Sequence, residues 1–141
     1  MTTDATLARF VEAQENSYAT ALAEIRAGAK RSHWMWYIFP QLRGGLGQSP
    51  TAHYYGIASI DEARAYLEHH LLGPRYRECI EALQQLGTSD PVTIFGSIDA
   101  MKLRSSLTLF EAAEPCPLFA GALDRWFGGE RDPVTLQMLA D

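Results

Sequence analysis

One segment in the first half of the chain combines positive charge with aromatic rings. No acidic residue occurs between Glu24 and Asp61, whereas the same stretch holds four arginine or lysine residues, two tryptophans and a glycine-rich loop that begins at Gly44. Cations that pair with phosphate oxygens, rings that stack and a flexible loop of backbone N–H groups suit a planar, phosphate-bearing ligand. The segment therefore predicts a basic, aromatic-lined pocket for a small anionic ligand, with a nucleotide-like ligand as one option.

Individual side chains in this segment have separate candidate roles. Lys30 would neutralise anionic oxygens and an indole would stack on a ring, while Gln41, an amide that follows a proline, would read the ligand. His33 is the candidate catalytic residue, because an imidazole with a pKa near neutrality can move a proton. In this part of the chain, the predicted ligand-binding residues are Lys30, His33, Trp34, Trp36, Gln41, Gly45 and Gly47.

A second polar segment follows at residues 102–108. Lys102 and Ser105 lie three residues apart, so they share one side of a helix. An ammonium and a hydroxyl on one side can bind an oxyanion, which adds both residues to the predicted ligand-binding set.

The same residues also have ordinary structural interpretations. Aromatic side chains bury much apolar area, so Trp34 and Trp36 also fit a hydrophobic core. Glycine-rich loops are frequently simple turns, a histidine can be packed and hydrogen-bonded, and a helix hydroxyl such as that of Ser105 can bond to its own backbone. The sequence alone leaves both interpretations open.

Metal and serine-hydrolase chemistry have little support in the sequence. His69 and His70 are adjacent and cannot share one helix face, and neither His33 nor His53 has a carboxylate at ligand spacing. The lysine of a phosphate-binding P-loop is missing from the glycine-rich loop, and no Gly-x-Ser-x-Gly elbow occurs. We therefore predict no metal and no cofactor.

Composition limits the class of protein. The chain has 141 residues, 47% of them hydrophobic and 21% charged, which is typical of one globular domain over residues 1–141. The net charge of −5 argues against a general coat for nucleic acid. No apolar run reaches the roughly 20 residues of a membrane helix, no signal peptide is visible, and two cysteines without a CxxC pattern indicate reduced thiols. We expect a cytoplasmic protein that does not bind membranes.

The elements that must position these residues read as helices. Ser59 and Glu62 have the spacing of a capping box, and Asp-Pro-Val-Thr, at 90–93 and again at 132–135, is typical of a helix start. Gly28 is placed to end a helix. Strand patterns are scarce, with residues 37–39 the best candidate for extended chain because Pro40 disfavours the helical region before it. The pattern predicts an all-α, compact, irregular domain of about seven or eight short helices.

The run HWMWYIFPQ at 33–41, followed by Gly45-Leu46-Gly47 and Ser49, resembles the signature of domain-of-unknown-function family 1810. The likeness extends over nearly the whole chain, through Glu24 and Lys30 to Asp99 and Lys102. The resemblance implies a small, mainly helical bacterial protein and brings no catalytic mechanism. Members are often labelled calpastatin, an intrinsically disordered inhibitor, whereas the aromatic content and helix caps of this sequence belong to a folded domain.

Three functional hypotheses follow. The first is the anionic-ligand site described above. The alternative is a non-enzymatic interaction or self-association module, in which the tryptophans belong to the core and an oligomer forms through other aromatic residues. A third is hydrolysis of an ADP-ribose-type substrate, supported only by the fit of cations and rings to that ligand. Whether the protein is an enzyme is left open.

Overall fold

A computed structural model describes residues 3–45 and 49–141, with side chains from residue 6 onward. These residues form nine helices and no strand, which confirms the all-α prediction with one helix more than the expected upper number. An isolated parallel bridge pairs Leu42 with Ile57. The helices are α1 Thr3–Glu15, α2 Tyr18–Ala27, α3 Met35–Ile38, α4 Pro50–Tyr55, α5 Ile60–Glu68, α6 Leu72–Gln84, α7 Pro91–Ala113, α8 Pro117–Phe127 and α9 Pro133–Ala140.

The predicted helix starts are present. The Ser59 hydroxyl accepts a hydrogen bond from the Glu62 N–H, while the Glu62 carboxylate reaches back to the N–H of Ala58 instead of closing the box on Ser59. Asp90 caps α7 and Asp132 caps α9, each followed by proline in the first turn, where no N–H is needed. Local polar chemistry therefore sets where these helices begin.

The prediction of extended chain at residues 37–39 is wrong for two of its three residues. Tyr37 and Ile38 belong to α3, and the preference imposed by Pro40 acts only on Phe39, whose φ of −123° and ψ of 71° end the helix. Gly28 ends α2 as predicted. Its φ of 74° is a backbone conformation that residues with a Cβ rarely adopt.

One hydrophobic core joins the helices, and aromatic rings form its centre. The Tyr76 ring lies 4.5 Å from Phe110, 5.5 Å from Phe119 and 5.8 Å from Phe39, measured between centroids. The Tyr76 hydroxyl meets the Ser106 hydroxyl at 2.9 Å, so the buried oxygen has a partner.

Cys79 is buried and Cys116 half-buried, and both are free thiols. None of the helices in the described ranges is long and apolar enough to cross a membrane.

A break in α7 brings two distant segments together. Gly96 has a φ of 80° and a ψ of 166°, so the helix is interrupted there and resumes at Ser97. The N–H of Lys30 donates to the Ile94 carbonyl at 2.9 Å, just before the break. The chain that follows α2 is thereby fixed against the start of the second part of α7, which carries Asp99 and Lys102.

Candidate functional site

The two lysines of the chain meet at one aspartate. Lys30 Nζ lies 2.9 Å from Asp99 Oδ2, and Lys102 Nζ lies 3.3 Å from Asp99 Oδ1. The remaining ten basic residues are all arginines. We refer to Lys30, Asp99 and Lys102 as the lysine cluster. A lysine side chain ends in a compact ammonium group with three N–H donors that can rotate. The cluster therefore brings both ammonium groups of the chain's lysines to one place.

Each lysine also lies against a tryptophan. Lys102 Nζ is 3.8 Å from the Trp36 ring centroid, and Lys30 Nζ is 5.2 Å from the Trp34 ring. Both distances are within the range at which an ammonium is attracted to the negative face of an indole. Trp34 is fully buried, whereas Trp36 is half-buried.

Glu24 holds the segment that carries the first lysine. Its carboxylate accepts hydrogen bonds from the N–H of Arg31, from the N–H and hydroxyl of Ser32, and from Trp34 Nε1 at 2.8 Å. Burial on its own would raise the pKa of Glu24, but these hydrogen bonds favour the charged form and lower its pKa to about 2. The carboxylate is therefore a structural anchor for residues 31–34.

The lysine cluster carries an excess of positive charge in a poorly solvated place. The side chains of Lys30, Asp99 and Lys102 are 9%, 20% and 15% exposed, and two ammonium groups share one carboxylate. Lys30 has one further acceptor, the Ser32 carbonyl at 2.6 Å. Because buried charge is costly unless it is compensated, an anion bound here would be stabilised by the unbalanced ammonium.

Trp36 also borders a small cavity of about 10 Å³, which we call the Gln41 cavity. That volume is about the size that one water molecule needs. Gln41 is only 5% exposed, and its Oε1 atom has no hydrogen-bond partner. The cavity is lined by Trp36, Gln41, Leu42, Gly44, Ala52, Tyr55 and Gly56.

The backbone around Gln41 is fixed by the bridge between Leu42 and Ile57. The Ile57 N–H donates to the Gln41 carbonyl at 2.8 Å, and the Arg43 N–H donates to the Ile57 carbonyl at 2.8 Å. The chains approach so closely that a Cβ on Gly56 would lie 2.7 Å from Arg43 Cβ. The amide of Gln41 is therefore presented from a rigid support.

The family described as "Protein of unknown function (DUF1810)" matches residues 4–139. The chain belongs to this family. A solved structure, that of the conserved hypothetical protein Rv1873 from Mycobacterium tuberculosis, is similar with a TM-score of 0.92 and 48% identity, covering 96% of each chain. No curated protein matches the sequence. The resemblance stated from the sequence is thereby confirmed, together with its helical fold.

The predicted ligand-binding residues of this DUF1810 chain divide into two groups. Lys30, Trp34, Trp36 and Lys102 come together around Asp99, and Gln41 lines the cavity that Trp36 also borders. The convergence involves segments that are far apart in sequence.

The other predicted residues lie elsewhere. His33 is exposed, and its backbone carbonyl, rather than its imidazole, accepts a bond from the Tyr37 hydroxyl at 3.4 Å. Ser105 is buried, with its hydroxyl 3.1 Å from that of Thr135 on α9. Gly45 is half-buried, and a Cβ there would meet the Leu42 carbonyl. Gly47 falls outside the described residues.

Sequence reasoning did not select Glu24 and Asp99 as members of the site. Both were visible only as matches to the family pattern, since a single carboxylate on a helix is most often solvated. Glu24 is the last acidic residue before the basic segment, which is the one signal that pointed to it. Asp99 had no local signal, because its partners include a lysine from the first quarter of the chain.

Two further observations bear on ligand chemistry. A surface groove of about 460 Å³ between α2 and α6 is lined by Arg26, Glu78 and Glu81, and its two carboxylates disfavour an anion. Within residues 3–45 and 49–141, no group of three or more histidine, cysteine or carboxylate side chains is arranged to hold a metal ion.

Proposed function

We propose that the lysine cluster and Trp36 bind a small anionic ligand with a planar ring, a class that includes nucleotides. The observation that carries this proposal is the meeting of the chain's two lysines, both at least 85% buried, at a single carboxylate beside a half-buried indole. The anionic group of the ligand would face the ammonium groups, and its ring would lie against the accessible part of Trp36.

The charge balance distinguishes a binding site from an ordinary ion pair. Within the cluster Asp99 offsets one ammonium group, and the second is compensated only by the Trp36 ring beside Lys102 and by the Ser32 carbonyl beside Lys30, on the segment that the Glu24 carboxylate anchors. Packing alone would favour an apolar side chain at position 102. A ligand phosphate would supply the missing negative charge through short, charge-assisted hydrogen bonds.

Isothermal titration with inorganic pyrophosphate and with AMP tests the proposal. We expect both to bind the wild-type chain, and Lys102→Met to weaken each by about tenfold or more, since a hydrogen bond to a charged group contributes about 1.5–3 kcal/mol. Arg77→Met is the matched control, because Arg77 pairs with Glu114 at the opposite end of α7. A folded wild-type protein that binds neither compound at millimolar concentration contradicts the proposal.

Self-association is a second candidate, favoured by apolar exposure on the same helix. Ile98 is 70% exposed and Met101 is 47% exposed, and they alternate with Asp99 and Lys102 along α7. The two side chains are three residues apart, so they share one side of the helix and would form the centre of an apolar contact between two copies of the chain. Light scattering tests this candidate: an oligomer that Ile98→Asp converts to monomer supports it, and a wild-type monomer at high concentration contradicts it.

A further inference from the structure

We infer that the Gln41 cavity is the part of the ligand site that accepts one N–H group, so that the ligand carries an amino-substituted ring. This inference rests on the proposed function, because it concerns the ring of the same anionic ligand. It names the chemical class more narrowly: a phosphate-bearing heterocycle with an exocyclic amino group.

An unsatisfied acceptor is the first observation. Gln41 is 95% buried, its Oε1 atom has no hydrogen-bond partner, and the residue lines the cavity. Buried side-chain oxygens in folded proteins nearly always have a partner, so an exception inside a cavity marks a place where a donor binds. The donor is either an ordered water or a group of a ligand.

The size of the cavity restricts that donor to a single small group. About 10 Å³ accommodates one water, and an amino group on a ring has a similar size and also donates N–H bonds. A ligand gains when it replaces an ordered water by a group that repeats the water's hydrogen bond. A carbonyl oxygen attached at the same ring carbon has no hydrogen to donate to Gln41 Oε1.

The indole of Trp36 connects this cavity to the lysine cluster. Trp36 lines the cavity and also lies 3.8 Å from Lys102 Nζ, measured to the ring centroid. Trp36 is therefore in contact with both places, the cavity that Gln41 lines and the lysine cluster. In a bound nucleotide, the base would meet the first and the phosphate the second.

The backbone that carries Gln41 is fixed beside the cavity. Gln41 is tied through its carbonyl to Ile57, and Gly56 packs directly against Arg43. The side chain therefore starts from a fixed backbone position before a ligand arrives, which lowers the ordering cost of binding.

A titration with AMP, IMP and inorganic pyrophosphate tests the inference. AMP carries an amino group at the ring carbon where IMP carries a carbonyl oxygen. We expect the wild-type chain to bind AMP at least about fivefold more tightly than IMP, given the strength of one hydrogen bond and the repulsion in the alternative. Gln41→Met should remove this preference and leave pyrophosphate affinity unchanged, whereas Gln85→Met, at an exposed amide on another face, should change neither.

The outcomes separate this inference from the proposal beneath it. If pyrophosphate binds but AMP and IMP bind equally well, or IMP binds better, the inference is overturned and the anion site stands. If neither pyrophosphate nor AMP binds, both are overturned. The comparison of AMP with IMP needs only the wild-type protein, so it decides the matter even if Gln41→Met does not fold.

Discussion

Lys30 and Asp99 form an ion pair, with Nζ 2.9 Å from Oδ2, although they come from opposite halves of the chain. Lys102 occupies the second carboxylate oxygen at 3.3 Å, so Asp99 acts as an internal anion for both lysines. The carboxylate lies in the first turn after the break at Gly96, where a negative charge is also favoured by the helix dipole. The ammonium groups are thus held in one orientation by an internal carboxylate, as the proposed anion site requires.

Removal of this internal anion should strengthen ligand binding and weaken the fold. Asp99→Asn leaves two mostly buried ammonium groups without a counter-charge, which we expect to destabilise the protein by about 3 kcal/mol. Pyrophosphate should then bind more tightly, and it should restore part of the lost melting temperature because it binds only the folded state. Calorimetric titration and thermal unfolding, each with and without pyrophosphate, measure both effects.

Asp124→Asn is the control for this change, because Asp124 is 70% exposed and pairs loosely with Arg131 at 3.8 Å. It should change neither stability nor affinity by a measurable amount. An Asp99→Asn protein that folds but binds pyrophosphate more weakly than wild type would show that the carboxylate belongs to a structural ion pair only.

Loss of Glu24 should loosen the segment that carries Lys30. Glu24→Ala leaves the Trp34 indole N–H and two backbone N–H groups without their acceptor, and we expect a loss of about 2 kcal/mol in the free energy of unfolding. Urea denaturation at neutral pH measures this loss. A change within the error of the experiment would mean that water replaces the carboxylate without cost.

The same carboxylate predicts a pH dependence with a definite sign. The pKa of Glu24 is lowered from its ordinary value of 4.5 to about 2 in the folded protein, so the folded state favours the charged form. Its contribution to stability is complete above pH 4.5 and is lost as the pH falls towards 2. The difference in unfolding free energy between wild type and Glu24→Ala should therefore shrink across that interval, and a difference that grows there would contradict the assignment.

Ser105 is expected to contribute to stability rather than to ligand binding. Its hydroxyl lies 3.1 Å from that of Thr135, which in turn bonds to the capping carboxylate of Asp132 at the start of α9. Ser105→Ala should cost about 1 kcal/mol in unfolding free energy and leave pyrophosphate affinity unchanged. Reduced affinity with unchanged stability would instead place this hydroxyl in the site.

Close packing at Gly56 should make this position intolerant of any side chain. A Cβ there would lie 2.7 Å from Arg43 Cβ and 2.8 Å from Arg43 Cα, so Gly56→Ala forces the backbone beside the Gln41 cavity to move. We expect a loss of about 1–3 kcal/mol, measured by denaturation. Gly87→Ala is the matched control, because nothing lies within 4 Å of its added Cβ. Equal effects of the two substitutions would contradict the packing described here.

Much of the fold follows from short-range chemistry. Asp90 and Asp132 begin helices because each carboxylate accepts a nearby backbone N–H, and Gly28 ends one because it adopts a positive φ. These signals involve residues within a few positions of one another and are legible in sequence. The prediction of extended chain was correct before Pro40 only at Phe39. It was wrong at Tyr37, because proline restricts the backbone of the one residue that precedes it.

The site was less predictable because its key contacts are long-range. Lys30 and Lys102 were both selected for their charge, but their common partner Asp99 has no local pattern that reveals it. The three-residue spacing predicted that Ser105 and Lys102 share one side of a helix. Spacing within one helix does not show that another helix, α9, packs over the serine. For the tryptophans, the core interpretation is confirmed for Trp34, which is fully buried, whereas Trp36 is only half-buried and stays a predicted ligand contact.

The most direct test of the anion site uses the fact that the chain has two lysines. Protein labelled with carbon-13 at the lysine Cε positions gives one side-chain NMR signal from Lys30 and one from Lys102, and each is assigned with Lys30→Arg or Lys102→Arg. The account predicts that both signals shift together and saturate as pyrophosphate is added. If both signals stay unchanged at millimolar pyrophosphate in folded protein, the lysine cluster is not a ligand site.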